Sequence, residues 1–294
     1  EKMLYDQALL ATTYLEAYQA THHERYARVA REILDYVLRE MTGSQGGFFS
    51  AQDADSQDPF NLGKKREGAF FVWKKSEIDS IFSEKEAGVI EYFYGIEEKG
   101  NALSDPHHEF EEQNVLYRAH SSDETALHFS LTAAEVDRIV MEATPKLLQY
   151  RSKRPAPHLD DKILTDWNGL MISALSLASQ VLDEPRYKKA AEDAANFIHK
   201  TLKDKDSRLL HRYRDGEAAI LASLNDYSFL IEGYQGLYEA TFDEKWLKEA
   251  LVLTESMIRL FWDGKDGGFY LTDSDAEALI VRPKELYDGA VPSG

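Results

Sequence analysis

Four aspartates recur in one short phrase: Leu4-Tyr5-Asp6-Gln7, Leu164-Thr165-Asp166-Trp167, Leu224-Asn225-Asp226-Tyr227 and Leu286-Tyr287-Asp288-Gly289. Paired carboxylates can serve as general acid and base, or as acid and nucleophile, on the two sides of a glycosidic bond. Asp166 and Asp226 form the best pair, because each is flanked by an aromatic ring and an amide: Trp167 and Asn168 beside the first, Asn225 and Tyr227 beside the second. Aromatic faces stack on sugar rings, and amides bind hydroxyls. Aspartate is also a favoured helix N-cap, whose carboxylate accepts the free N–H groups of the first turn. Each phrase therefore reads equally as the start of a helix.

Further polar groups cluster in sequence near these starts. His158, Asp160 and Asp161 precede Asp166, and a loop folded over the helix ends would make them participants, with His158 as a proton carrier. Asp53, in Gln52-Asp53-Ala54-Asp55-Ser56, and Glu67 opposite it read as polar rim residues. Of the many aromatic residues most belong to the core, while Tyr5, Trp73, Trp167, Tyr227 and Tyr287 stand where they could floor a sugar site. No metal site is expected. The Asp53–Asp55 run lacks the Gly and closing Glu of a calcium loop, and His22-His23 and His107-His108 lack zinc spacing. The chain has no Gly-x-Ser-x-Gly elbow, P-loop or Gly-x-Gly-x-x-Gly motif, so no cofactor is expected and esterase, NTPase and dinucleotide chemistry lack support.

The elements that position these residues repeat. After each of the first three phrases come an apolar helical stretch, a polar break, a charged amphipathic stretch and a tetrad: Gly46–Phe49, Ser207–Leu210 or Gly267–Tyr270. The Asp-to-tetrad spacing is 40, 41 and 41 residues, a period that marks stacked supersecondary units. Trp167–Leu182 contains no charged residue, as in a helix buried on most sides, whereas Glu184–Leu202 carries Tyr187, Ala190, Ala191, Ala194, Ile198 and Leu202 at helical spacing among charges. One helix of each pair is inner and the other outer. Each tetrad opens a β-hairpin: GGFFSAQD with Glu67–Trp73, RLLHRYR with the residues after Asp215-Gly216, and GGFYLTD with Ala278–Arg282. Helix pairs are expected at about 1–45, 74–153, 164–203 and 224–263, with a further one starting at 286. In the second pair Asn101–Ser130 reads as a long loop. Such pairs form an arc of a toroid within one domain spanning 1–294, the inner helices parallel and their N-termini on one rim.

The bulk composition narrows the partners. The formal net charge is -18, from 52 Asp+Glu against 34 Lys+Arg, so nucleic acid and anionic lipid are not expected partners. Zero cysteines exclude disulfides and thiolate chemistry and fit a cytoplasmic, reducing setting. No apolar run has the length of a membrane span. The chain begins already in helical pattern, as a segment of a longer protein would.

EKMLYDQALL, GGFFSAQDADS, EGAFFVW, RPAPHLDDKILTDWNGLMISAL and LYDGAVPSG together resemble the helical domain of the YyaL / spermatogenesis-associated protein 20 family, over essentially the whole chain. The resemblance implies an all-α (α/α)6 toroid of the six-hairpin glycosidase-like class, here an incomplete arc with short β-hairpins between helix pairs. It also implies an N-terminal thioredoxin-like partner domain, outside this chain, and kinship to N-acylglucosamine epimerases and unsaturated glucuronyl hydrolases. The hydrolases use Asp residues lining the bowl, which favours Asp6, Asp166, Asp226 and Asp288 as catalytic groups. The epimerases use His residues on inner helices, and Asp6–Tyr18, Asp166–Leu182 and Asp226–Ala240 contain none. The expected function is thus glycoside hydrolysis by rim carboxylates on an oligosaccharide or other small substrate. The alternative is a non-catalytic glycan- or peptide-binding domain serving the thioredoxin-like domain. Open arc ends would favour self-association.

Overall fold

A computed structural model describes residues 1–61, 63–102, 110–275 and 279–294. His107 and His108 lie outside the described residues, as does Ala278. Two compact units are resolved: Glu1–Gln52 with Leu159–Gly294, and Asp53–His158.

The first unit is built from three helix pairs. They are α1 (Leu4–Thr21) with α2 (Glu24–Glu40), α7 (Thr165–Val181) with α8 (Pro185–Thr201), and α9 (Leu224–Thr241) with α10 (Glu244–Phe261). The inner helices α1, α7 and α9 lie side by side, and each packs on its own outer partner. The reason is visible in their sequences. In α7 the only charged residue is Asp166, and Leu170, Met171, Ile172, Ala174, Leu175 and Ala178 are all buried. In α8 burial is confined to the stripe Tyr187, Ala191, Ala194, Ala195, Phe197 and Ile198, and charges face water. One continuous apolar core runs through all six helices.

Glycine sets how closely α7 and α9 approach. A Cβ on Gly169 would lie 2.5 Å from the Phe229 backbone, and one on Gly233 would lie 2.7 Å from the Gly169 carbonyl oxygen. The backbones touch where other residues would hold them apart. Gly169 sits beside Phe229, and Gly236 beside Ser173 and Ser176, so the helices run parallel with their N-termini at one end.

Short antiparallel strands join the pairs. β7 (Leu210–Arg214) pairs with β8 (Glu217–Leu221) through the Asp215-Gly216 turn, as expected, and β6 (Ile163–Leu164) joins on β7's other edge. The GGFF arm behaves differently from expectation. Its strand β2 (Ala51–Gln52) pairs with β1 (Lys2–Met3) and β5 (Leu159–Asp160), not with Glu67–Trp73. Strands of two residues carry too little pattern for sequence to choose their partners. Leu286–Gly294 holds no helix.

The second unit holds the hairpin β3 (Asp55–Gln57) with β4 (Lys65–Glu67) and the helices α3 (Lys75–Ile81), α4 (Glu84–Tyr94), α5 (Ser122–Phe129) and α6 (Ala133–Arg151). Helix α5 lies in the stretch expected to be loop. A capping box starts it: the Ser121 hydroxyl accepts from the Glu124 N–H while the Glu124 carboxylate accepts from the Ser121 N–H. Trp73, expected at a sugar-binding rim, is instead 1% exposed in this unit's core. The Arg154 guanidinium lies over its ring at 4.3 Å and donates to the Phe70 and Val72 carbonyls and to Glu77. Among the described residues no helix is long and apolar enough to cross a membrane.

Candidate functional site

Asp166, Asp226 and His211 converge where the N-termini of α7 and α9 meet strand β7, with a donor atom from each lying within 4.8 Å of the others. The close approach of α7 and α9 creates the contact. The main-chain N–H of Asp166 donates to Asp226 Oδ1 at 3.1 Å, joining the two helix starts directly.

Asp226 is fully buried and its oxygens are saturated. Its Oδ2 accepts from the Ser223 N–H at 2.7 Å and the Ser223 hydroxyl at 3.0 Å, an arrangement that caps α9. Its Oδ1 accepts from Asp166 and bonds His211 Nδ1 at 2.8 Å. A carboxylate so enclosed cannot touch a substrate. Asp226, expected as a catalytic group, is thus spent on hydrogen bonds within the protein, one of them to an imidazole. With Nδ1 tied to Asp226, the other ring nitrogen of His211 is left for chemistry. The hydrogen bond to Asp226 raises the His211 pKa above its ordinary value, against the opposing effect of burial.

Asp166 is half-buried, and its Oδ1 accepts from the Trp167 N–H at 2.8 Å. Burial, and then the Asp226 charge, push its carboxyl up to about 7, with His211 pulling the other way. Near neutral pH it exists in both protonation states, the condition a general acid–base group needs. A cation would fit this trio poorly, since each Asp226 oxygen already accepts two donors it would have to displace.

The other expected residues fall into distinct roles. Tyr5 and Trp167, both half-buried, meet edge to face at 4.9 Å, Trp167 directly following Asp166 in α7, and Asp6 stands partly exposed in the first turn of α1. Asn168, expected to bind substrate, is instead wholly buried: its Oδ1 accepts the Phe48 N–H at 2.8 Å and its Nδ2 donates to the Phe48 and Leu164 carbonyls. Tyr227 is likewise core, packed on Phe261. Asn225 is half-buried, its Oδ1 lacking a protein partner. Asp160 and Asp161 are held in ion pairs with Lys162 and Arg214. Asp288 and Tyr287 lie in the irregular 279–294 stretch, where Asp288 accepts from the Ser293 N–H and Tyr287 is exposed, so neither joins the trio. In the other unit, Asp53 and Glu67 are exposed and the His158 carbonyl accepts from the Asp53 N–H.

Sequence reasoning missed His211. Its signal was the residue directly after a tetrad, on a strand that brings it to the helix starts.

No protein-family model matches the chain. Over all of this chain, spermatogenesis-associated protein 20 of Homo sapiens is 37% identical, and the chain spans 40% of that protein's length. Among solved structures, a family 76 glycoside hydrolase (mannosidase) from Bacteroides thetaiotaomicron is 11% identical, matching 88% of this chain and 45% of its own with a TM-score of 0.46. A D-mannose isomerase is 15% identical, matching 92% and 63% with a TM-score of 0.40. The whole-length identity agrees with the phrases read from sequence: the chain is similar over its full length to spermatogenesis-associated protein 20, of whose human form it spans about two fifths.

Proposed function

We propose that this chain carries an acid–base site for a carbohydrate substrate, in which Asp166 and His211 transfer protons and Asp226 positions His211. The supporting observation is one cluster: a half-buried carboxyl with a pKa pushed up to about 7 beside an imidazole tethered through Nδ1 to a buried carboxylate. The edge-to-face pair of Tyr5 and Trp167, the residue after Asp166, supplies apolar surface of the kind that packs on a pyranose ring.

Glycoside hydrolysis, with Asp166 protonating the leaving oxygen, is the first reaction class to test. The two-carboxylate form of that mechanism loses its second member, because Asp226 is sealed. A separation under 4.8 Å is also shorter than the roughly 6.5–9.5 Å that inverting enzymes keep between their groups. Such crowding favours a second reading, proton shuttling on one face of a sugar, as in isomerisation.

The test is an assay of the protein against aryl glycosides and unsaturated uronides, and against free aldoses and ketoses in D2O with deuterium uptake followed by NMR. Asp166→Asn and His211→Gln should each lower turnover by about 100-fold or more. Turnover that survives both substitutions removes the pair as catalysts. Sugar binding without turnover in the unmodified protein would instead favour a glycan-holding domain that serves a thioredoxin-like partner.

A further inference from the structure

The turn after α2 and the outer helix α8 border an open hollow of about 570 Å³, lined by Thr42–Gly46 and by Asp193, Asn196, Phe197, Lys200 and Thr201. A second hollow of about 220 Å³ shares Gly43, Ser44, Gln45 and Phe197 and extends past Phe49 and Tyr213 to Arg214–Gly216. Neither includes Asp166, His211 or Asp226. The larger is within the roughly 300–1,000 Å³ of small-ligand sites.

Its walls are fixed. Gly46, at φ +101°, is so close to α8 that a Cβ would lie 3.0 Å from the Asp193 carbonyl oxygen, and a Cβ on Gly47 would lie 2.8 Å from Ile163 and 2.9 Å from Phe197. The turn is also closed on itself, Gly43 N–H donating to the Gly47 carbonyl and Gly46 N–H to that of Gly43. The hollow is therefore formed before any ligand arrives.

The chemistry of the lining narrows the ligand. Phe197 and Tyr213 meet edge to face at 5.1 Å and, with Phe49, give an aromatic floor. Asp193 is neutralised by Lys189, and Arg214 by Asp161 and Asp215, while Lys200 is an exposed cation on the larger hollow. Ser44 and Gln45 are exposed at the shared edge, where Gln45 Nε2 donates to the Tyr213 hydroxyl at 3.3 Å. Aromatic floor, amides and hydroxyls, with the acids of the lining already paired, suit a ligand that carries no cation and is rich in hydroxyls.

We infer that this double hollow is a binding site for a neutral oligosaccharide, separate from the Asp166–His211 site and independent of whether that site is catalytic. The experiment is calorimetric and NMR titration of the full chain with cellotetraose, mannotetraose and maltotetraose, with trigalacturonate as the acidic probe and tetraethylene glycol as control. At least one neutral tetrasaccharide should bind saturably. Gln45→Ala, and separately Asn196→Trp placed to fill the larger hollow, should each weaken it by about ten-fold while Asp166→Asn leaves it unchanged. Both cleft positions are exposed, and unchanged circular dichroism establishes that the variants fold. No saturable binding up to about 10 mM, binding indifferent to both cleft variants, or preference for trigalacturonate overturns the inference.

Discussion

Asp166 donates its main-chain N–H to the carboxylate of Asp226, 60 residues along the chain, at 3.1 Å. That bond ties the first turns of two neighbouring inner helices, and the same oxygen of Asp226 holds His211. Replacing Asp226 by Asn sets an amide against donors on at least one side. Asp226→Asn should cost about 2 kcal/mol in urea unfolding and bring the His211 pKa down, read from imidazole NMR shifts. A His211 titration unchanged in this variant would sever the proposed tether.

The raised pKa of Asp166 makes a stability prediction of definite sign. Its carboxyl binds a proton more tightly folded than unfolded, so between the ordinary value of 3.8 and about 7 the folded state holds more protons and stability falls as pH rises. Asp166→Asn should remove that fall: the variant should gain stability over the parent at pH 8 relative to pH 4. Parallel pH profiles of unfolding free energy for the two proteins would contradict the assignment.

His211 carries a pH window of its own. Its pKa is raised, so the stability from its bond to Asp226 is fully present below 6.5 and is lost as pH rises through the raised value. His211→Gln should therefore be more destabilising at pH 5.5 than at pH 9. Thermal melts at the two pH values make the comparison, and an equal cost at both would count against a charged imidazole.

Gly169→Ala tests the helix contact that builds the site. The new methyl would fall 2.5 Å from the Phe229 backbone, which cannot swing aside as a side chain can. A cost of about 3 kcal/mol is expected, together with loss of the Asp166–Asp226 bond, visible as faster amide exchange at Asp166. Gly236→Ala is the contrast, since its nearest neighbour would lie at an ordinary 3.6 Å. Equal effects at both glycines would show that backbone contact does not control the geometry.

Asn168→Ala removes hydrogen bonds to both the N–H and the carbonyl of Phe48, 120 residues away. The stranded buried groups should cost about 3 kcal/mol. A loss below about 0.5 kcal/mol would mean that water replaces the amide at this site.

Much of this architecture was readable from periodicity. The uncharged run after Asp166 and the striped run after Glu184 told inner from outer helix because burial on all sides and on one side leave different patterns. The hairpin around Asp215-Gly216 was equally plain. The partners of Ala51–Gln52 were not, because strands of two residues are chosen by tertiary contact. Helix α5 had a local signal in Ser121 and Glu124, three residues apart, but its short length hid it within a loop. The site was half legible. The Asp-aromatic phrase marked the helix ends at which Asp166 and Asp226 meet, yet gave no sign that Asp226 and Asn168 spend their polar atoms on the fold. Trp73 shows the same limit, since an isolated aromatic has no period from which burial can be inferred.

His211 occupies the position directly after its tetrad, and the corresponding positions after the other two tetrads hold Ser50 and Leu271. The three connections thus deliver an imidazole, a hydroxyl and an aliphatic chain from equivalent places in the repeat. Reactivity can be gained or erased in one turn of such an array by changing a single connector residue, while the helices that hold it stay as they are.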